Sequence, residues 1–295
     1  LCARTERAGT SITQTLTVKK IGLVFLATLI SFHILAQKGW EAGPWVGASW
    51  YFGDLNTSYN LGTPGLAAGI LARYNFNERL ALKFSAGVGK VEADDARSGN
   101  IFERARNLSF ESSLVDVTAQ FEFSFLPYIH GSKKNYFSPY IFLGLTGFHF
   151  NPKARLGDEL YELRALGTEG QFKGEEYYSV HGGLAFGMGM KLDLSYEWSL
   201  NVELGVRQLF TDYLDDVSTV YPDRSDLLKA RGEIAVALSD RSIAIPGAND
   251  GPIGEEGRQR GNSTNKDAYV IANIALVYYF GDLRCPDYGK RKRKN

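Results

Sequence analysis

The 295-residue chain is poor in the residues that build catalytic and metal centres: two cysteines, two methionines and four histidines. A paired-cysteine metal site, a phosphate-binding glycine loop and a His-rich cluster are all missing, which argues against metal and nucleotide chemistry and leads us to expect no cofactor. Long apolar runs are scarce too. The one such run, Ile21 to Ile30, follows Lys19 and Lys20 and gives way to Ser31 through Ala36 and then Gln37. About ten apolar residues fall short of the roughly twenty a spanning helix needs. A basic flank, a short apolar core and a small residue before a polar one read as a secretory signal. We expect a signal peptide over 18–36, an upstream segment 1–17 foreign to the mature protein, and a mature chain starting near Gln37.

Cleavage there removes Cys2 and leaves Cys285 without an internal disulfide partner. The formal charge of the whole chain is zero. Residues 1–37 carry four basic residues and one acidic, so the rest holds 29 basic and 32 acidic residues, a net of −3. The terminal segment 282–295 is basic and reads as a separate tail, with Arg284 and the run Lys290, Arg291, Lys292, Arg293 and Lys294. Nothing else is basic enough for nucleic acid.

What is abundant is aromatic residues, 13% of the chain, and alternation of period two. Val115, Val117, Ala119, Phe121, Phe123 and Phe125 share one face, and Asp116, Thr118, Gln120, Glu122 and Ser124 share the other. The same pattern runs through 80–89, 179–193 and 200–207, and more weakly through 41–52, 66–76, 138–150 and 268–280. Short connections (Asn75 to Glu78, Pro127 to Tyr136, Ser195 to Trp198) alternate strictly with long polar ones (Gly53 to Pro64, Ala93 to Leu108, Asn151 to Tyr177, Thr211 to Asp267).

Eight alternating segments, export and strict loop alternation predict an all-β fold over 37–281. It is a transmembrane antiparallel β-barrel of about eight strands in the outer membrane, with short periplasmic turns, long extracellular loops and both termini periplasmic. Trp40, Trp45, Trp50, Tyr51, Phe52, Tyr74, Phe76, Tyr278, Tyr279 and Phe280 lie near strand ends, where interfacial girdles sit. A soluble sandwich or lipocalin-like barrel also alternates, and the export signal and apolar faces favour the membrane form.

Eight strands enclose a bore just wide enough for side chains to fill. The inward face offers Arg73, Lys83, Lys191 and Arg207 to Asp116, Glu122, Asp193 and Glu203, which predicts an ion-paired plug rather than a pore. Within the long loops, Asp158 is placed to cap a helix ending at Gly167, and Ser225 to cap one interrupted by Gly232. Pro246 to Lys266, rich in Gly, Asn and charge, is expected to be mobile.

No catalytic or metal-binding residues are assigned. His181, with Ser179 and Glu176, is the one candidate for a lipid-hydrolase constellation, weighed against a histidine satisfied inside a polar barrel. His130 and His149 show no obvious partners. The tetrad Tyr51-Phe52-Gly53-Asp54 recurs as Tyr279-Phe280-Gly281-Asp282, which suggests an aromatic interface anchor followed by a glycine turn.

These residues also carry a family resemblance. Trp50 to Asn56, Leu166-Gly167-Thr168-Glu169-Gly170-Gln171, Ser138-Pro139-Tyr140 and Tyr278 to Pro286 together resemble the PorG family of outer-membrane proteins. The resemblance implies a non-enzymatic subunit of the type IX protein secretion apparatus, which is linked to gliding motility in some bacteria. The partners it implies are membrane lipids and a periplasmic ring of PorK- and PorN-type proteins, with no nucleic acid and no small-molecule substrate. The tail residues Arg284, Cys285, Lys290, Arg291, Lys292, Arg293 and Lys294 are the candidate docking element. A surface barrel whose loops bind external ligands and an outer-membrane lipid hydrolase are the competing expectations.

Overall fold

A computed structural model of the chain describes residues 38–246, 249 and 251–281. The expected signal peptide and the basic tail lie outside the described residues. Among those described, nine strands form: β1 (Gly39–Phe52), β2 (Gly65–Asn75), β3 (Leu80–Asp94), β4 (Ser109–Ser124), β5 (Phe137–Leu156), β6 (Glu159–Glu162), β7 (Val180–Asp193), β8 (Trp198–Leu209) and β9 (Ala268–Tyr279). Eight of them close into a ring of antiparallel neighbours. The closing pair is β1 with β9, in register at Val46 opposite Ile274. Strand β6 stands outside the ring as a short hairpin partner to the far end of β5.

The ring forms because period-two segments place most of their apolar side chains on one side, and closure leaves no unpaired edge within the ring. That side faces out. Phe121 is 64% exposed and Leu143 and Leu145 each 62%, while their polar neighbours Gln120, Glu122 and Thr146 are buried. An apolar exterior around a polar bore is the inverse of a water-soluble barrel, and it is stable only where the surroundings are hydrocarbon. The protein is an outer-membrane β-barrel of eight strands.

Both described chain ends, and the connections 76–79, 125–136 and 194–197, lie at one end of the barrel, here the turn end. The connections 53–64, 95–108, 157–179 and 210–267 lie at the loop end, and carry helices α1 (Ile101–Arg106), α2 (Leu163–Leu166), α3 (Arg224–Arg231) and α4 (Glu233–Ser239). The bore is layered. Charged side chains fill the turn end, Asp116 with Thr118, Thr146 and Tyr269 fills the middle, and an apolar cluster including Phe110, Leu114, Phe148, Phe150 and Ile271 fills the loop end. A bore uniformly small and charged was the expectation; only its lower part is.

Several local expectations are corrected. Asp158 does not cap a helix: Gly157, at φ +63°, turns the chain into the β5–β6 hairpin, and only Leu163–Leu166 is helical, ended by Gly167 in the left-handed region. Asp223, not Ser225, caps α3, accepting from the amide of Asp226, and Gly232 splits the segment into α3 and α4. Within the stretch Pro246 to Lys266, the described residues 251–266 are packed and hydrogen-bonded rather than loose. Ile253 and Arg260 are buried, and the amides of Gly257 and Tyr221 bond Tyr221 and Arg258. Trp45 and Tyr51 point into the bore and are no part of an interfacial girdle.

Candidate functional site

The turn end is built around Glu122 on β4. Arg73 Nε lies 2.9 Å and Lys191 Nζ 2.8 Å from its Oε2, and Lys83 Nζ lies 3.8 Å from Oε1. Lys83 also pairs with Glu203, which accepts from Tyr140 Oη at 2.8 Å and Gln120 Nε2 at 3.1 Å. Arg73 Nη1 donates to Glu41 Oε2 at 2.7 Å. Strands β1, β2, β3, β4, β7 and β8 are thus tied by one buried network, in which each charge is tolerable only because its partners are present. One layer up, Arg207 Nε stands 4.0 Å from Asp116 Oδ2.

The connection 125–136 dips back into the mouth and delivers His130. Its Nε2 lies 2.9 Å from Glu41 Oε1 and its Nδ1 3.0 Å from Asp193 Oδ1. Nε2 hydrogen-bonds with Glu41, Nδ1 lies beside Asp193 without hydrogen-bond geometry, and the two flanking carboxylates favour the imidazolium form. Burial opposes that charge, but the contacts with Asp193 and Glu41 and the charges behind them outweigh it and push the pKa up to about 9. Tyr279 stacks on the ring at 4.4 Å and 19°. The expectation that His130 lacks partners is therefore overturned. The charges also sum correctly: Glu41, Glu122, Asp193 and Glu203 meet Arg73, Lys83, Lys191 and the His130 imidazolium.

The loop end is built differently. Tyr51 Oη lies 2.5 Å from Asp215 Oδ2 and 3.0 Å from Asp267 Oδ1. Asp54 accepts from the Asn262 amide at 2.7 Å, and Asp212 accepts from Ser218 Oγ at 2.9 Å while its Oδ1, in a residue 2% exposed, has no hydrogen-bond partner among the described residues. Among the described residues no cationic side chain hydrogen-bonds to any of these four carboxyl groups. The nearby guanidinium groups are engaged elsewhere, Arg106 by Asp95 at 2.8 Å and Arg260 by Glu169 at 3.0 Å. Burial, then the neighbouring carboxylates, holds Asp215 and Asp267 well above the usual carboxylate range. Burial likewise raises Asp212 to about 7.

The repeated tetrad serves both ends. In each copy the tyrosine points inward and its ring folds over the glycine two residues on. An added Cβ at Gly53 would meet Tyr51 Oη at 2.1 Å, and one at Gly281 would meet Tyr279 Oη at 2.1 Å. The aromatic anchor is thus Phe280, 63% exposed, while the tyrosines are stoppers. Two of the motifs read from the sequence are joined in the loop-end cap through Arg106 and Arg260. Thr168 donates to Asp216, Glu169 holds Arg260, and Arg106 Nη2 donates to the Asp54 carbonyl at 2.7 Å.

The hydrolase constellation is not assembled. Glu176 is held by Arg231 at 2.7 Å, and His181 Nε2 has no partner among the described residues. No group of three or more His, Cys, Asp or Glu among the described residues is arranged to hold a metal ion. Arg73, Lys83, Asp116, Glu122, Lys191, Glu203 and Arg207 line the bore, and Asp193 sits at its turn-end mouth against His130. Glu41, His130, Tyr140, Tyr51, Asp215 and Asp267 complete the two ends and were not singled out for these roles. For Glu41 the signal was its phase with Trp45 and Ser49, since alternation carried back along β1 puts it inward.

A family model described as a domain of unknown function, DUF6089, matches residues 19–231. The chain belongs to the DUF6089 family. Comparison with curated protein sequences gave no match. Solved structures similar to this DUF6089 chain include the attachment invasion locus protein Ail of Yersinia pestis, in complex with the heparin analogue sucrose octasulfate. It is 11% identical with a TM-score of 0.38, covering 82% of this chain and 99% of Ail. Neisserial surface protein A is 10% identical with a TM-score of 0.40, covering 82% and 97%. OprG of Pseudomonas aeruginosa is 13% identical with a TM-score of 0.38, covering 84% and 98%.

Proposed function

We propose that this protein is a non-enzymatic outer-membrane subunit of a type IX protein secretion apparatus, tied in some cells to gliding motility, that contacts a periplasmic ring of PorK- and PorN-type proteins. The observation that carries this reading is the filled bore. Among the described residues, interlocked charges at the turn end and packed apolar side chains at the loop end occupy the bore, which favours work done at the two ends over transport through it. In this reading the turn end and both termini face the periplasm and the long loops face outward. The tail residues Arg284, Cys285 and Lys290 to Lys294, which follow β9 in the sequence, are then the docking element we assign to the ring proteins. The resemblance to the PorG family supports the assignment, two of its motifs being linked in the loop-end cap through Arg106 and Arg260.

Two assays test it. Deleting the gene should block secretion of many unrelated proteins. Affinity purification from detergent-solubilised outer membranes should recover the ring proteins, and truncation after Leu283 should release them without lowering barrel abundance. Intact secretion with a barrel purified alone would refute the proposal.

A second reading, a barrel whose loops bind external ligands, is favoured by one feature. A cleft of about 170 Å³ opens at the loop end, lined by Glu92, Arg97, Glu111, Lys153 and Arg155. That reading predicts loss of ligand binding on Arg97→Ala with secretion unchanged.

A further inference from the structure

The β8–β9 connection, residues 210–267, is the longest in the chain, and both of its ends converge on one phenol. Near its start, Asp215 Oδ2 takes the short contact to Tyr51 while its Oδ1 accepts from the Val217 amide at 2.9 Å. At its close, Asp267 Oδ1 takes the second contact while its Oδ2 accepts from the Leu214 amide at 2.9 Å. A phenol has a single proton and can donate to only one carboxylate. The other contact is a hydrogen bond only if that carboxyl carries a proton of its own and donates it to the Tyr51 oxygen. A full negative charge on both groups would set two buried carboxylates against one another across a single hydroxyl.

We infer that Asp215 and Asp267 share a bound proton with Tyr51, and that this proton clasps the long β8–β9 loop over the loop end of the barrel. The clasp is independent of the docking reading. The groups that face it favour proton retention on balance. Asp54 from the β1–β2 loop acts on both carboxyls, and Asp212 from the same long loop acts on Asp267. Asp212, in turn, feels Glu169 and is relieved by Lys266. Arg106 of α1 is the opposing cation near Asp215, and Asp95 holds it by two hydrogen bonds. Tyr177 faces Asp215 from the β5–β7 connection and donates to Asp216. The raised affinity of Asp215 and Asp267 for protons agrees with this geometry. A proton bound when the loop is closed and released when it opens changes the open-to-closed ratio by up to about tenfold per pH unit. The cap is therefore tight in acid and loosens as the surroundings become alkaline.

Asp267→Asn replaces the protonated acid. Its amide can donate to Tyr51 while its oxygen accepts from Leu214. Limited proteolysis of the loop in the folded, membrane-reconstituted protein, run on wild type and variant at each pH, cancels the protease's own pH dependence. From about pH 5 to about pH 9 the wild-type to variant cleavage ratio should rise at least about tenfold. Infrared difference spectra of the wild type over the same range should show a protonated-carboxyl band that is lost as the ratio rises, and this readout holds even if the variant misfolds. A cleavage ratio flat with pH, no such band, or closure that follows added calcium instead of protons would overturn the inference.

Discussion

The two ends of this barrel solve the same problem in opposite ways. At the turn end four buried carboxylates meet four cations, His130 included, and each is held by ion pairs at or near 3 Å. At the loop end Asp215 and Asp267 meet on Tyr51 with Asp54 and Asp212 close by, and no cation hydrogen-bonds to any of the four among the described residues. The first end is locked by charge compensation and the second by keeping protons on its acids. The lesson is that burial of a carboxylate has no fixed sign for stability. What decides it is whether the surrounding side chains supply positive charge or more negative charge.

The largest expected break comes at the turn end. Glu122→Leu leaves Arg73, Lys83 and Lys191 buried against a missing partner and should cost at least about 3 to 5 kcal/mol in denaturant unfolding of the reconstituted barrel. His130 gives the next effect through pH. Its folded pKa of about 9 lies above the ordinary value of 6.5, so its contribution is complete below pH 6.5 and is lost as pH rises through 9. That contribution is about 3 kcal/mol, and His130→Gln should flatten the pH dependence of unfolding in this window. A smaller loss, about 1 to 3 kcal/mol, is expected for Gly53→Ala, because the Tyr51 hydroxyl that blocks the new Cβ is pinned by two carboxyl groups. Gly281→Ala should cost less, since Tyr279 Oη is held by the Lys38 carbonyl at 3.1 Å. Smallest of all is Lys229→Ala. The Lys229–Asp226 pair on α3 is fully in solvent, and its removal should leave the unfolding curve unchanged.

Much of the wall was legible in the sequence. Alternation in segments such as 115–125 has one physical cause, lipid on one side and a filled bore on the other, so face and strand could be read together. The interior charges followed from the same phase. What was not legible is how side chains far apart in the chain meet. Tyr51, Asp215 and Asp267 are brought together only when β1 closes on β9, and no local period marks that event. His130 sits in a turn, where alternation gives no direction, so its place between Glu41 and Asp193 was hidden. The hairpin at Gly157 looked helical because a short polar stretch ending in glycine fits either structure, and the β5 ladder, extended to Leu156, chose the strand.

The contrast between the ends is tested most directly by neutralising one carboxylate at each without changing its shape. Unfolding of Glu122→Gln and Asp267→Asn should be compared with wild type in the same lipid at about pH 8, above the ordinary carboxylate range. The account predicts opposite signs: Glu122→Gln destabilises, because three cations lose their shared partner, and Asp267→Asn stabilises, because the loop end no longer has to hold a proton. Loss of stability in both variants would contradict it.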